Sequence, residues 1–567
     1  ARFLQPKTVA IPDDDCFAAM QSKHPPAAPG EQLHELSGMV DQLVAKAADM
    51  PAELSLLQGE GIEPETVAKL IQRASPYSGA GPSGLRYSHL QDALRTSWGR
   101  HEFAAVLTRW LQTVMREAAR LPDAFWQLHG AGRLTPLAEQ QEDGTAKQRP
   151  IVCGEVLQRL CTSVYVADRK DFLAELLEPD GQYGVAVSAG AEKAAMAGKL
   201  AYELGHWQFM LDLKNAFNMV FVLAAAEWVA ARLPDFLDYF IGTYVRTRPR
   251  LLFQHVDGST RVIMSQRGFK QGDPAAPMLF CGAIAQCLKR FNEAAAAQRA
   301  RRRMGAYMDD ANVRTGACTL TQDDIQAVAQ LKQHFAEVGL ELNLTKSRAL
   351  PGRGHVVTDH ERQLLQQLGV QLVGDTDENQ NRGAVLLGVP VGHSSFVDAW
   401  LRREAGAGGA GARFAERCAR LTSPRAMFRL LRYCVVPRMT YCLRTIPTTQ
   451  TAPAAKEWDR VTQWVLEHSM GLQPPGQTWR QFEQSGAHFH LAAHGPALQQ
   501  ARLPTRHGGL GITSACDIAD AAYVAGTLQA LQPALSGWAG VLQQAAPQAA
   551  ADNAAEDAAT QAAPAAA

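Results

Sequence analysis

Two short stretches place carboxylates where apolar residues otherwise dominate. In "WQFMLDLKNAFN" (207–218), Phe209, Leu211 and Leu213 alternate with Met210 and Asp212, the period of a β-strand. Asp212 therefore points away from the face shared by the leucines. A buried acid without a partner is very costly, and a salt-bridged aspartate at a strand end is the plain reading of this segment. "MGAYMDDANV" (304–313) has the shape of strand, tight turn, strand, with Asp309 and Asp310 side by side. Asp tolerates the backbone angles of such turns, and a hairpin with an acidic turn is the plain reading here. Taken together, two apolar strands deliver carboxylates at the same end. Divalent cations bound there would neutralise charges that otherwise repel. Hard oxygen ligands suit Mg²⁺, and two ions ~3.5–4 Å apart clamp the attacking and leaving oxygens of an in-line phosphoryl displacement.

The elements that must position these acids belong to a chain of 567 residues, long enough for several domains. From 205 to about 350, strands alternate with helices, the pattern of an α/β or α+β core. Lys plus Arg and Asp plus Glu both number 56, so no global basic charge marks a nucleic-acid partner. The 10 Cys form no Cys-x-x-Cys pair, which points to a reducing, intracellular location, nuclear or cytoplasmic rather than secreted. No apolar run reaches membrane-spanning length; "VFVLAAAEWVAA" (220–231) is short and carries Glu227. The Gly/Ala stretch "EAGAGGAGAR" (404–413) reads as a linker and domain boundary. From about 545 the chain is almost all Ala, Gln, Asp and Glu, a low-complexity tail.

The motifs around the acids resemble those of non-LTR retrotransposon (LINE-like) reverse transcriptases, in order. "RPIVCGEVLQRL" (149–160) looks like the fingers motif, "LDLKNAFN" (211–218) like motif A and "SQRGFKQGDPAAPMLFC" (265–281) like motif B. "AYMDD" (306–310), "GLELNLTKS" (339–347) and "LLGVPVG" (386–392) look like motifs C, D and E. "GPSGLRYSHL" (81–90) and "LLRYCVVPRMTY" (430–441) also look like this group, so the resemblance spans about 75–515. It implies an α+β right-hand polymerase fold of fingers, palm and thumb with a helical C-terminal region. The implied division is an N-terminal extension (1–74), fingers and palm (75–400), a helical thumb (401–470), a C-terminal helical region (471–544) and the Ala-rich tail (545–567).

The resemblance further implies RNA-directed DNA polymerisation: attack of a DNA primer 3′-OH on a dNTP, templated by RNA, with two Mg²⁺ ions or Mn²⁺ in their place. Asp212, Asp309 and Asp310 would be the catalytic acids, with Asp212, Asp309 and the Leu213 carbonyl the main metal ligands and Asp310 a weaker one. Phe217 stands at the position of a steric gate against a ribose 2′-OH; apart from the resemblance, it reads as a core aromatic. Gln271 and Gly272 would approach the dNTP and template base, and Lys147 or Arg149 the triphosphate. Lys346, on a short strand, is a candidate general acid for the pyrophosphate, or a solvated lysine. An RNA-directed RNA polymerase sharing the palm and a non-catalytic nucleic-acid-binding relative are the competing readings. No endonuclease domain is recognisable, and oligomeric state is open.

Several local readings follow from the residues themselves. Asp273 is a good helix N-cap and Pro274 suits a first helical turn, with Met278, Cys281, Ala285 and Leu288 one apolar stripe. Thr321 and Asp324 resemble a capping box, followed by the helical face Val328, Leu331, Phe335 and Val338 and a stop at Gly339. Arg299 and Arg301–Arg303, and likewise Arg246, Arg248 and Arg250, are basic runs that would meet phosphate backbone or solvent.

Overall fold

Alternating apolar residues in short runs produce strands that pair largely antiparallel in this computed structural model, which describes residues 7–29, 31–48, 61–140, 146–374, 382–406, 409–491 and 495–530. In chain order the strands are β1 (Lys7–Val9), β2 (Gly132–Gln140), β3 (Ala146–Gly154), β4 (Gln208–Leu211), β5 (Arg250–Gln254) and β6 (Thr260–Met264). They continue as β7 (Arg303–Tyr307), β8 (Asp310–Arg314), β9 (Arg348–Leu350), β10 (Gln371–Leu372), β11 (Gly383–Leu386) and β12 (Val389–Gly392). The chain is α+β, as its sequence pattern implies.

Contacts divide the chain into two units, residues 2–188 with 201–384, and residues 189–200 with 385 onward. The first unit holds two five-stranded sheets. One is built on β2, which pairs antiparallel with β3 along its length, with β1 at one end of its other edge and with β5 in parallel at the other end. Helix Asp14–Ser22 packs on this sheet, putting Cys16 and Met20 against Leu134, Val152, Leu251, Phe253 and Ile263. The N-terminal segment is thus part of the sheet's own core. The second sheet has the order β10-β9-β4-β8-β7, with β4 central and antiparallel to both β8 and β9. Helix Ala276–Ala297 lies against β7; its first turns, through Ala285, are buried almost all round, and beyond them burial narrows to a stripe of Cys287, Leu288, Phe291 and Ala295. Its Gly282 lets the Trp228 ring approach to where a Cβ would be 2.3 Å away.

Several sequence expectations need correction. Between 104 and 129 the chain forms helix Ala104–Arg116, a 3₁₀ turn Ala118–Arg120 and helix Asp123–His129, with Pro122 as N-cap of the last. Lys346 lies in a turn ahead of β9, not on the strand. Arg302 is buried, bonded to Asp324 (3.0 Å) and Gln298 (2.9 Å), and Arg248 is buried with Nη2 on the Glu31 carbonyl (2.5 Å). These two guanidiniums hold the fold together and face neither phosphate nor solvent. The Thr321–Asp324 capping box is present and Gly339 ends that helix with φ +80°.

The second unit is helical apart from β12 and part of β11, and Trp458, Trp464 and Trp479 are buried in it. Arg444 makes a bidentate pair with Glu192 (2.5 and 2.8 Å). The Gly/Ala stretch read as a boundary lies within this unit, spanning the end of helix Ser394–Ala405 and the start of helix Ala410–Ala419; the division of the chain falls at 384/385. Residues 545–567 lie outside the described residues. Among the described residues no helix is long and apolar enough to cross a membrane.

Candidate active site

Strand register brings the acids together. β4 and β8 pair Leu211 with Ala311 and Met210 with Asn312, so the next step sets Asp212 opposite Asp310. Directly opposed residues lie about 5 Å apart at Cβ. β7 and β8 close through Met308 and Asp309, with Tyr307 paired to Asp310. The left-handed angle of this two-residue loop falls on Met308 (φ +56°), not on an aspartate. Asp310 feels the crowding. Desolvation by the surrounding chain, then the charges of Asp309 and Asp212, push its carboxyl up to about 6.

The partners of Asp212 are neutral, and they come from the motif D segment. Asn343 donates its side-chain amide to Asp212 Oδ2 (3.0 Å) and its N–H to the Asp212 carbonyl (2.8 Å). Ser347 Oγ accepts the Asp212 N–H (3.1 Å). The salt-bridge reading of Asp212 gives way to this neutral bracket. Because Asp212 and Lys214 direct backbone groups to 341–343, those of Leu213 face the opposite edge, toward the start of β8. Lys346 is exposed, next to Ser347 in the same turn.

The motif B loop docks on β3. The Val152 N–H donates to the Gln271 carbonyl (2.8 Å), and a Cβ on Gly272 (φ +126°) would stand 2.3 Å from the Val152 carbonyl oxygen. Only glycine allows that approach. Gln271 and Gly272 thus lie beside the strand that carries Lys147 and Arg149. Arg149 is exposed; the Lys147 side chain lies outside the described residues. Phe217 is half-buried and stacks on Phe280 (4.6 Å, 18°), while its carbonyl accepts the Phe269 N–H (2.7 Å).

Asp273 is not the N-cap of the following helix, which starts at Ala276 with Ala275 as cap and Pro277 in its first turn. Its Oδ1 accepts the Ala275 N–H (3.0 Å), and its Oδ2 accepts from Gln158 Nε2 (2.7 Å) and the Tyr244 hydroxyl. Lys270 sits 3.9 Å away with its ammonium on the Gly130 carbonyl (2.8 Å). Burial lowers the Lys270 pKa, and Asp273 opposes that shift. The sequence reading saw the local turn chemistry but missed Gln158 and Tyr244, which reach Asp273 from distant segments.

Sequence reasoning also missed Asn343, Ser347 and Gln182. The first two lie inside a quoted motif, three residues before and one after Lys346. Gln182 carried no local signal at all.

Residues 140–386 match the family model described as Reverse transcriptase (RNA-dependent DNA polymerase). This segment, somewhat less than half of the chain, is thus similar to reverse transcriptases. The matched segment encloses Lys147, Arg149, the three acids, Phe217, the Gln271–Gly272 loop and Lys346. The two-sheet core is accordingly a polymerase fold. Among solved structures, apo telomerase from Candida tropicalis, truncated from its C-terminal domain, is similar at 9% identity with a TM-score of 0.31. That match covers 40% of this chain, which spans 51% of the telomerase chain. No curated protein matches the chain.

Reverse transcriptase domains generally use divalent ions, and the oxygen groups gathered here suit that need. The candidate donors are carboxylates and a backbone carbonyl, all hard oxygens, and burial, then the charges of Asp309 and Asp212, raise the Asp310 pKa. That chemistry fits Mg²⁺. Among the described residues no group of three or more His, Cys, Asp or Glu side chains forms a ready-made cage. Mg²⁺ commonly completes its shell with water and substrate phosphate.

Proposed function

We propose that this chain is the RNA-directed DNA polymerase of a non-LTR retroelement, extending a DNA primer 3′-OH with dNTPs on an RNA template. The observation that carries the reading is the meeting of Asp212 with the Asp309–Asp310 hairpin at one end of the sheet. The Gln271–Gly272 loop and β3, which would receive the nucleotide, support it. Two Mg²⁺ ions, or Mn²⁺, held by Asp212, Asp309, Asp310 and the Leu213 carbonyl would stabilise charge on the attacking and leaving oxygens. The chain's own residues do the rest. Asn343 holds the Asp212 carboxylate and Ser347 its backbone N–H, and the packed loop at Gln271–Gly272 presents backbone to the incoming nucleotide. Lys147 or Arg149 meets the triphosphate. The 3′-hydroxyl releases its proton to solvent as its oxygen bonds to the α-phosphorus and the bond to the β-phosphate oxygen breaks, and Lys346 gives the departing pyrophosphate a proton that it regains from water. Phe217, braced by Phe280, excludes a 2′-hydroxyl.

Primer extension on an RNA template with Mg²⁺ and dNTPs tests this, beside Asp309→Asn. Extension by the parent chain alone, with template–primer bound by both, is expected. Binding without extension by the parent would replace the proposal with a non-catalytic nucleic-acid-binding role. Extension with NTPs in preference to dNTPs would point instead to an RNA-directed RNA polymerase.

A further inference from the structure

A two-residue hairpin loop whose first residue has positive φ normally carries Gly, Asn or Asp at that position, because other L-residues are strained there. This chain carries Met308. Something other than intrinsic preference must hold the turn in shape.

Residues 181–184 run along the free edge of β7. The Tyr183 N–H donates to the Ala306 carbonyl (2.8 Å), and the Ala306 N–H donates to the Gly181 carbonyl (2.8 Å), forming a parallel bridge between Gln182 and Ala306. Beyond Ala306 this pairing stops, and the Gln182 side chain takes it over. Gln182 is fully buried. Its Oε1 accepts the Met308 N–H (2.9 Å) and the Gly184 N–H (3.0 Å), and its Nε2 donates to the Met308 carbonyl (3.4 Å). One amide therefore grips both backbone groups of the strained residue. Gly184 makes room: a Cβ there would stand 2.4 Å from Met308 N and 2.6 Å from Met308 Cγ.

We propose that Gln182 is a positioning residue for the catalytic hairpin, holding the Met308 peptide in its left-handed form so that Asp309 stands ready beside Asp212. The inference rests on the proposed function for its catalytic consequence. Only an amide supplies what the turn needs. A glutamate keeps the acceptor, loses the donor to the Met308 carbonyl and adds a negative charge near three others. A methionine keeps the volume and leaves both Met308 groups without their partner.

The test combines Gln182→Met with Met308→Gly, since glycine adopts the left-handed form without strain. Hydrogen exchange of the Met308 amide is read first, because it reports the clamp whether or not the chain polymerises. Gln182→Met is expected to speed that exchange by at least about tenfold, with exchange in β4 unchanged. In primer extension it is expected to lower kcat by ~10- to 100-fold, as a slightly displaced catalytic group does. KM for dNTP and template–primer affinity should stay near parental values, and half-saturation for Mg²⁺ should rise. Adding Met308→Gly to Gln182→Met should recover most of kcat and of the Mg²⁺ response. A general folding defect would not be repaired by a second substitution that loosens the turn. If Gln182→Met fails to fold, Gln182→Glu decides, with smaller expected changes of the same sign. Unchanged Met308 exchange overturns the clamp, as does a loss of kcat that Met308→Gly leaves in place. A parent chain that extends no primer refutes the polymerase reading, and the exchange series still decides the clamp.

Discussion

Asp273→Ala separates two accounts of one residue by size. As a helix cap, Asp273 would contribute about 1 kcal/mol. As the structure has it, Asp273 is 4% exposed and receives hydrogen bonds from Gln158, Tyr244 and the Ala275 N–H. Lys270, 2% exposed, lies 3.9 Å from its Oδ2. Truncation strands a buried cation, a hydroxyl and an amide together, and breaking a buried ion pair from one side costs about 3–5 kcal/mol. Urea unfolding of the metal-free chain, followed by tryptophan fluorescence, measures this. The double variant Asp273→Ala with Lys270→Met should cost less than the sum of the two single changes, by about 1–2 kcal/mol, because the stranded charge is gone. Asp273→Asn should fall between, since it keeps the shape but opposes its own N–H groups to the Gln158 amide. A loss of about 1 kcal/mol or less for Asp273→Ala, with additive double-variant energies, would refute the network and restore the cap. The motif B loop also reports the outcome, because Gln271 and Gly272 lie between Lys270 and Asp273 and dock on Val152.

Three further outcomes follow from the site. Asp310 titrates at about 6, above the ~3.9 of an unfolded aspartate, so its contribution favours the fold below about pH 4 and is lost as pH rises through 6. Thermal melts in chelator should therefore show a weaker decline in Tm between pH 4.5 and 7.5 for Asp310→Asn than for the parent, and equal declines would refute the crowding of the three acids. Asn343→Ala frees the Asp212 carboxylate, and a fall in kcat of about tenfold or more with a raised Mg²⁺ requirement is expected in primer extension. Phe217→Ala should raise NTP incorporation relative to dNTP by about tenfold or more, and an unchanged ratio would return Phe217 to the plain role of a ring stacked on Phe280.

What the sequence makes legible here is what neighbours along the chain decide. The alternation at 209–213 placed Asp212 on the less buried face of β4, and Thr321 with Asp324 announced a helix start, because both rest on spacings of a few residues. Asp273 shows where that reasoning ends. Its turn chemistry is local, and its Oδ1 does bond the Ala275 N–H, but Gln158 and Tyr244 arrive from 115 and 29 residues away and change its role. Arg302 shows the same in a basic run, since Asp324, 22 residues on, turns an apparent surface charge into a buried pair. The hairpin is the sharpest case. Two adjacent aspartates suggested that an acid would take the unusual backbone angle, yet the register of β7 with β8 puts that angle on Met308. No local rule favours methionine there. The residue that makes it tolerable lies 126 positions away along the chain, on a segment that pairs with β7. The acids themselves can be read from adjacent letters because their chemistry must be carried by those side chains. The groups that aim them need only reach a peptide N–H or carbonyl, and any part of the chain that the fold brings close can supply them.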